Sequence, residues 1–117
     1  MRSGSVSPQN FEEVMRSVRG IPHEQTRRES EDYLEMVMFV DSWHQVLSVF
    51  DGYFGVPLKA PGDMPDKAAS RVSDPYGGIT EDQALYHLTR DDAEQVAMIW
   101  PWSDGKRMTV KILQECR

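Results

Sequence analysis

The stretch EDYLEMVMFVDSWHQVLSVFDGYF, from Glu31 to Phe54, constrains this chain more than any other. Advanced by about 100° per residue, Met36, Val37, Val40, Trp43, Leu47 and Phe50 gather on one face of a helix. Tyr33 and His44 flank that face on one side, Phe39 and Val46 on the other. Spacings of three, four and seven recur, the period of a helix and not of a strand. The far side holds Glu35, Asp41, Ser42, Gln45 and Ser48, with Leu34, Met38 and Val49 intruding. Ser30 followed by Glu31 and Asp32 suits a cap and an acidic first turn, and Asp51-Gly52 suits a stop. The spacing therefore predicts one long central helix. Because it is apolar over more than half its girth, it should lie between two layers, or between a core and a partner chain.

A rod of that kind needs a domain around it. With 117 residues the chain is one domain with a single core. Residues 1–9 are small and polar and are expected to form a disordered tail, leaving 10–117 as the folded unit. Asn10 can cap a short helix, with Glu13 three residues on, Phe11, Val14, Met15 and Val18 on one face, and Gly20 as its end. Ile21-Pro22 forces an extended turn. The charged run His23 to Glu29 (HEQTRRE) reads as a solvated loop or as the frayed start of the long helix. Adjacent Arg27 and Arg28 could clamp an acidic group.

From Asp51 to Thr80 the chain is rich in glycine and proline, with a short helix expected from Pro65 to Val72. Its aromatic and aliphatic residues should pack it down onto the core. The last third changes period. Gln83–Thr89, Gln95–Trp102 and Lys106–Leu113 alternate like strands and predict a three-stranded antiparallel meander. Two registers compete for the last hairpin. A two-residue Asp104-Gly105 turn sets Trp100 opposite Thr109 and Met98 opposite Lys111. A three-residue loop with Gly105 left-handed sets Trp100 opposite Met108, Met98 opposite Val110 and Val96 opposite Ile112. The second gathers the large apolar residues onto one face and is the one expected. The fold class is then α+β, with a short N-terminal helix and the long helix covering the meander. Leu85, His87, Ala97, Ile99, Thr109, Lys111 and Leu113 are left on the other face, half apolar, with only the first helix or the long loop to cover it, or a second copy of the chain instead.

The formal charge of −6 speaks against nucleic acid as a partner, since phosphate binding needs a basic surface. The longest apolar run, Met36–Val40, is far too short to span a bilayer, and the start of the chain has no secretory pattern. A cytoplasmic location without membrane partners is expected. The one cysteine, Cys116, can form neither an internal disulfide nor a cysteine zinc site. None of the common catalytic or phosphate-binding motifs is present, and Gly77-Gly78 lacks the strand and lysine of a phosphate loop. No metal or cofactor is expected.

Two functions of different kinds follow. The first is a non-enzymatic protein-interaction module that self-associates as a homodimer. Its surface would draw on Trp102, Leu85, His87, Ile99, Leu113, Met38 and Val49. The second is a small-molecule binder or small enzyme. Its site would lie between the 51–80 loop, the Trp100-Pro101-Trp102 end and His44, with Asp41 or Asp51 orienting the imidazole.

Overall fold

The computed structural model describes residues 8–90 and 92–116. Apart from Pro8 and Gln9, the expected tail over 1–9 lies outside the described residues. The class is α+β, and the elements run α1 (Phe11–Arg19), β1 (Gln25–Glu29), β2 (Tyr33–Phe39), a 3-10 turn (Val40–Ser42), α2 (Trp43–Phe54), α3 (Lys67–Ser73), a second 3-10 turn (Asp74–Tyr76), β3 (Ala84–Arg90), β4 (Ala93–Pro101) and β5 (Arg107–Cys116). The strands form one antiparallel sheet in the order β1-β2-β5-β4-β3.

The first helix forms as its residues dictate. Asn10 caps it by accepting from the Glu13 N–H at 2.9 Å, and Gly20 ends it. The Glu13 carboxylate reaches back to the Gln9 N–H at 3.0 Å, closing the cap from the other side. Phe11, Val14, Met15 and Val18 are buried beneath it.

The long central helix does not exist as a single element. Its first half is strand β2, and only Trp43–Phe54 is helical. The period of β2 is two: Leu34, Met36 and Met38 enter the inner core, while Tyr33, Glu35, Val37 and Phe39 alternate to the other face. Both faces carry apolar residues, so the alternation is blurred and seven residues pass for part of a helix. A 3-10 turn at Val40–Ser42 redirects the chain into α2, whose Val46, Phe50, Tyr53 and Phe54 are buried. Gly52 sits inside this helix. The stop is Gly55, whose φ of 81° suits glycine.

The meander is likewise part of something larger, a five-stranded sheet. The charged run expected to be a loop supplies β1, and all five of its residues are exposed. An edge strand open on both faces has no apolar period to betray it. Its pairing with β2 is interrupted by an irregularity between Thr26 and Arg28, which breaks up an otherwise exposed edge.

The last hairpin takes the register rejected on the apolar argument. Trp100 pairs with Thr109 and Met98 with Lys111. The loop is Ser103–Lys106, bracketed by the Trp102 N–H donating to the Arg107 carbonyl at 2.9 Å. Gly105 is left-handed as expected, with φ 71°. Asp104 Oδ1 accepts from the Lys106 and Arg107 N–H groups at 2.8 and 3.0 Å. One residue of slip inverts every side chain on a strand. Ala97 and Ile99 therefore face the inner core, and Val96, Met98 and Trp100 face outward. The β3–β4 hairpin, which lacks glycine, is turned instead by Asp92 at φ 62°, a conformation aspartate tolerates.

The outer face explains the register. Residues 56–82 cross to it, and Leu58, Ala69, Val72, Tyr76 and Ile79 pack on Leu85, Val96, Met98 and Leu113. Helix α3 starts two residues after Pro65, capped by Asp66, which accepts from the Ala69 N–H at 2.8 Å. Lys59 pairs as an isolated bridge with Leu85 and joins this segment to the sheet edge. The sheet is thus the middle of three layers, and its central strand needs oil on both sides.

Candidate functional site

The residues singled out for acid–base chemistry are not assembled. His44 is exposed on α2, and Asp41 is exposed in the turn before it. Asp51 is exposed near the other end of the helix and accepts from the Tyr86 hydroxyl at 2.8 Å. Asp41 lines a depression of about 360 Å³ with Phe39, Val40, Gly105, Lys106 and Arg107; neither His44 nor Asp51 lines it. The expected site between His44, the 51–80 loop and the Trp-Pro-Trp end is divided by the sheet itself. Helix α2 packs on the inner face, whereas α3 and Trp100 lie on the outer one. Among the described residues no group of three or more His, Cys, Asp or Glu side chains is arranged to hold a metal.

The expected interaction surface is also redistributed. Met38 and Ile99 are buried in the inner core, and Leu85 and Leu113 are buried beneath the outer cover. Val49 is half-buried against the inner core, and His87 is half-buried with Nε2 3.0 Å from Glu94 Oε1. Trp102 alone of the seven is exposed, at 37%. The long loop, one of the covers the sequence offered, took the outer face.

The cover is incomplete, however. It lies over β3, β4 and the end of β5, and Tyr33 and Trp100 pack half-buried along its margin. Beyond them, over β1, β2 and the start of β5, no further element covers the outer face, and its own long side chains close over it: Val37 and Thr109 are buried, while Arg28, Phe39 and Trp102 are exposed. Strand alternation places Arg28, Glu35 and Lys111 in one cross-strand row there, and Val37 and Thr109 in the next. Phe39 pairs with Arg107 at the end of the ladder. The Trp102 indole N–H donates to Thr109 Oγ1 at 2.9 Å, which folds that ring back onto the sheet.

Each of three aromatic rings on this surface carries a cation. The Arg28 guanidinium lies 4.8 Å from the Tyr33 ring centre, the Lys111 ammonium 4.1 Å from Trp100, and the Arg107 guanidinium 5.4 Å from Phe39. Carboxylates are interleaved. The Tyr33 hydroxyl donates to Glu35 at 2.6 Å, and Arg27 lies 3.9 Å from the same carboxylate. Arg107 donates to Glu24 at 2.9 and 3.2 Å and to Asp104 at 3.1 Å.

Charge and burial tune these groups. Burial, with the Glu35 contact adding to it, pushes the Tyr33 phenol up to about 12. Burial pulls the Lys111 ammonium below its ordinary value against the opposing pull of Glu35. The hydrogen bond from Arg107 lowers the Glu24 carboxyl, and two backbone N–H groups lower Asp104. The surface is therefore a fixed, mixed-sign, aromatic patch that has lost part of its water. Of its members, Arg27, Arg28, Trp100, Trp102, Thr109 and Lys111 drew notice in the sequence. Tyr33 and Phe39 did not, because a helix reading sends them to opposite shoulders and β2 returns them to one face.

The chain matches no family model, no curated protein and no solved structure. Among the described residues no helix is long and apolar enough to cross a membrane.

Proposed function

We propose that this chain is a non-enzymatic protein-interaction module that self-associates as a homodimer through the Phe39 and Trp102 end of its outer sheet face. The observation that supports this most is the exposure of two large aromatic side chains at one end of this face: Phe39, which carries the Arg107 guanidinium on its ring, is 43% exposed and Trp102 37%. Tryptophan, tyrosine and arginine carry most of the binding energy at protein interfaces, and lysine and arginine stems cover apolar surface there. The patch holds Arg28, Lys111 and Arg107 beside Glu24, Glu35 and Asp104. A surface with both signs can pair with a copy of itself about a two-fold axis. Its neighbour β1 is an edge strand whose exposed rim extends the same surface. A reducing cytoplasm suits such a module, since its lone thiol needs no partner.

Light scattering on a gel-filtration column, over a dilution series reaching about 100 µM, tests this. The expected result is a concentration-dependent dimer that Trp102→Ala weakens by about 2 kcal/mol or more, the cost typical of a central anchor. A monomer throughout the series overturns self-association. A dimer that Trp102→Ala and Phe39→Ala both leave intact overturns the assignment of the surface.

A further inference from the structure

On the opposite side of the sheet, two adjoining depressions of about 500 and 380 Å³ share Phe11, Glu12 and Gln114 and form one groove between the start of α1 and the ends of the strands. Its floor is a one-way chain of hydrogen bonds. Tyr53 Oη donates to Gln95 Oε1 at 2.5 Å, Gln95 Nε2 to Gln114 Oε1 at 3.2 Å, and Gln114 Nε2 to Asp32 Oδ1 at 2.8 Å. Gln95 is only 4% exposed. Each carboxamide spends one N–H inside the chain and keeps a second. Along the row burial falls from Gln95 through half-buried Gln114 to exposed Asp32, so the spare Gln95 N–H is the donor that water reaches least.

The two ends of the groove differ in sign. At one end Glu31 and Asp32 line the wall; the nearby Glu12 and Arg19 are paired with Arg16 and Glu29. At the other end the Arg90 guanidinium is held 5.7 Å from the Tyr53 ring centre. An acidic turn by itself would be ordinary solvated surface. The amide row joining it to a guanidinium is what points to a ligand: an ammonium at Asp32, carbonyl oxygens over Gln114 and Gln95, a carboxylate at Arg90. Length selects among zwitterions. The span runs from Asp32, just before β2, through Gln114 on β5 and Gln95 on β4 to Arg90 on β3, two residues along the strand from Leu88, the partner of Gln95. Three inter-strand steps of about 4.8 Å and two residues of about 3.4 Å along the strand combine to roughly 16 Å. Four extended residues span about that distance, and a single amino acid falls far short.

We propose that this groove binds a free peptide of about four residues, its amino terminus at Asp32 and its carboxyl terminus at Arg90. The site lies on the other side of the sheet from the proposed dimer surface and does not depend on it. The test is an NMR titration of the full ¹⁵N-labelled chain with tetra-alanine, N-acetyl-tetra-alanine, tetra-alanine amide and free alanine. Saturable shifts at the Gln95 and Gln114 side-chain amides are expected with tetra-alanine. Acetylation should weaken binding about tenfold, the scale of one lost charge-assisted contact. Asp32→Asn should weaken the free peptide to the same degree and leave the acetylated one unchanged. Amidation and Arg90→Gln should behave as the matching pair at the other end. Absence of saturable shifts overturns the proposal, as do equal affinities for alanine and tetra-alanine or capping effects that the two variants do not absorb.

Discussion

Lys59 shows how a single residue can fasten a layer. It is 3% exposed, and its ammonium donates to the carbonyls of Ala60, Glu81 and Gln83 at 2.9, 2.5 and 2.6 Å. Three carbonyl oxygens satisfy the three hydrogens of an ammonium. Burial pulls its pKa below the ordinary value, while Asp63, Asp82 and Glu81 act the other way and help keep it charged. Lys59→Met keeps the stem and removes the donors, leaving the carbonyls short of partners. A loss of about 2–3 kcal/mol in urea unfolding is expected. Faster hydrogen exchange is expected at the Leu85 N–H, which donates to the Lys59 carbonyl. Unchanged stability would show that water replaces the ammonium without cost. Gly77 is a second point of this kind. Its φ is 109°, a left-handed conformation that strains any residue with a β-carbon, whereas the 3.4 Å such a carbon would keep from the Trp100 ring is close to ordinary contact; the backbone angle and not the space calls for glycine here.

Among the elements, the β4–β5 hairpin couples turn chemistry to acid stability. Asp104 and Glu24 converge on Arg107, and both carboxyls sit below their ordinary values of 3.8 and 4.5. A carboxyl lowered in the folded state stabilises it fully above the unfolded value. That contribution is lost as pH falls through the folded value. Melting temperature should therefore fall between about pH 5 and pH 2. Asp104→Asn keeps an acceptor for the two backbone N–H groups but removes the charge. Its melting temperature should fall less steeply over the same interval; parallel curves for the two proteins would rule out this source of acid sensitivity. Elements also differ in how far they could be read. Helix α1, with Asn10, Glu13 and Gly20 at its ends, was legible because its signals are local. Strands β3, β4 and β5 were legible in place, within one to three residues at most of their ends. Strand β1 was not, because Gln25–Glu29 buries nothing and owes its extended form to pairing with β2.

At the scale of the molecule, the sheet holds two separate apolar clusters, one under α1 and α2 and one under residues 56–82. If the outer cover is a true layer, a large-to-small change beneath it should cost as much as one in the main core. Leu85, fully buried, is the test. Leu85→Ala is expected to lose about 2–5 kcal/mol by chemical denaturation. A cost under about 1 kcal/mol would mean that the segment rests loosely on the sheet. The same cover decides which surfaces are left for partners. It hides Leu85 and Leu113, stops at Tyr33 and Trp100, and leaves Phe39 and Trp102 in the open. None of the candidate acid–base set is gathered, because His44 faces solvent from the inner layer while the loop that was to enclose it lies across the sheet.

The sequence by itself determined the α+β class, the first helix with its caps, the places of the last three strands, and the descent of the glycine- and proline-rich segment onto the core. These follow from short-range capping, period and turn chemistry, which act over a few residues. Tertiary structure alone decided that Tyr33–Phe39 is a strand, that Gln25–Glu29 joins it, and that β4 pairs with β5 one residue away from the expected register. A strand covered on both faces loses its alternation, and a strand covered on neither has none to show. Only the arrival of distant residues on each side distinguishes the two, and with them the faces that remain open.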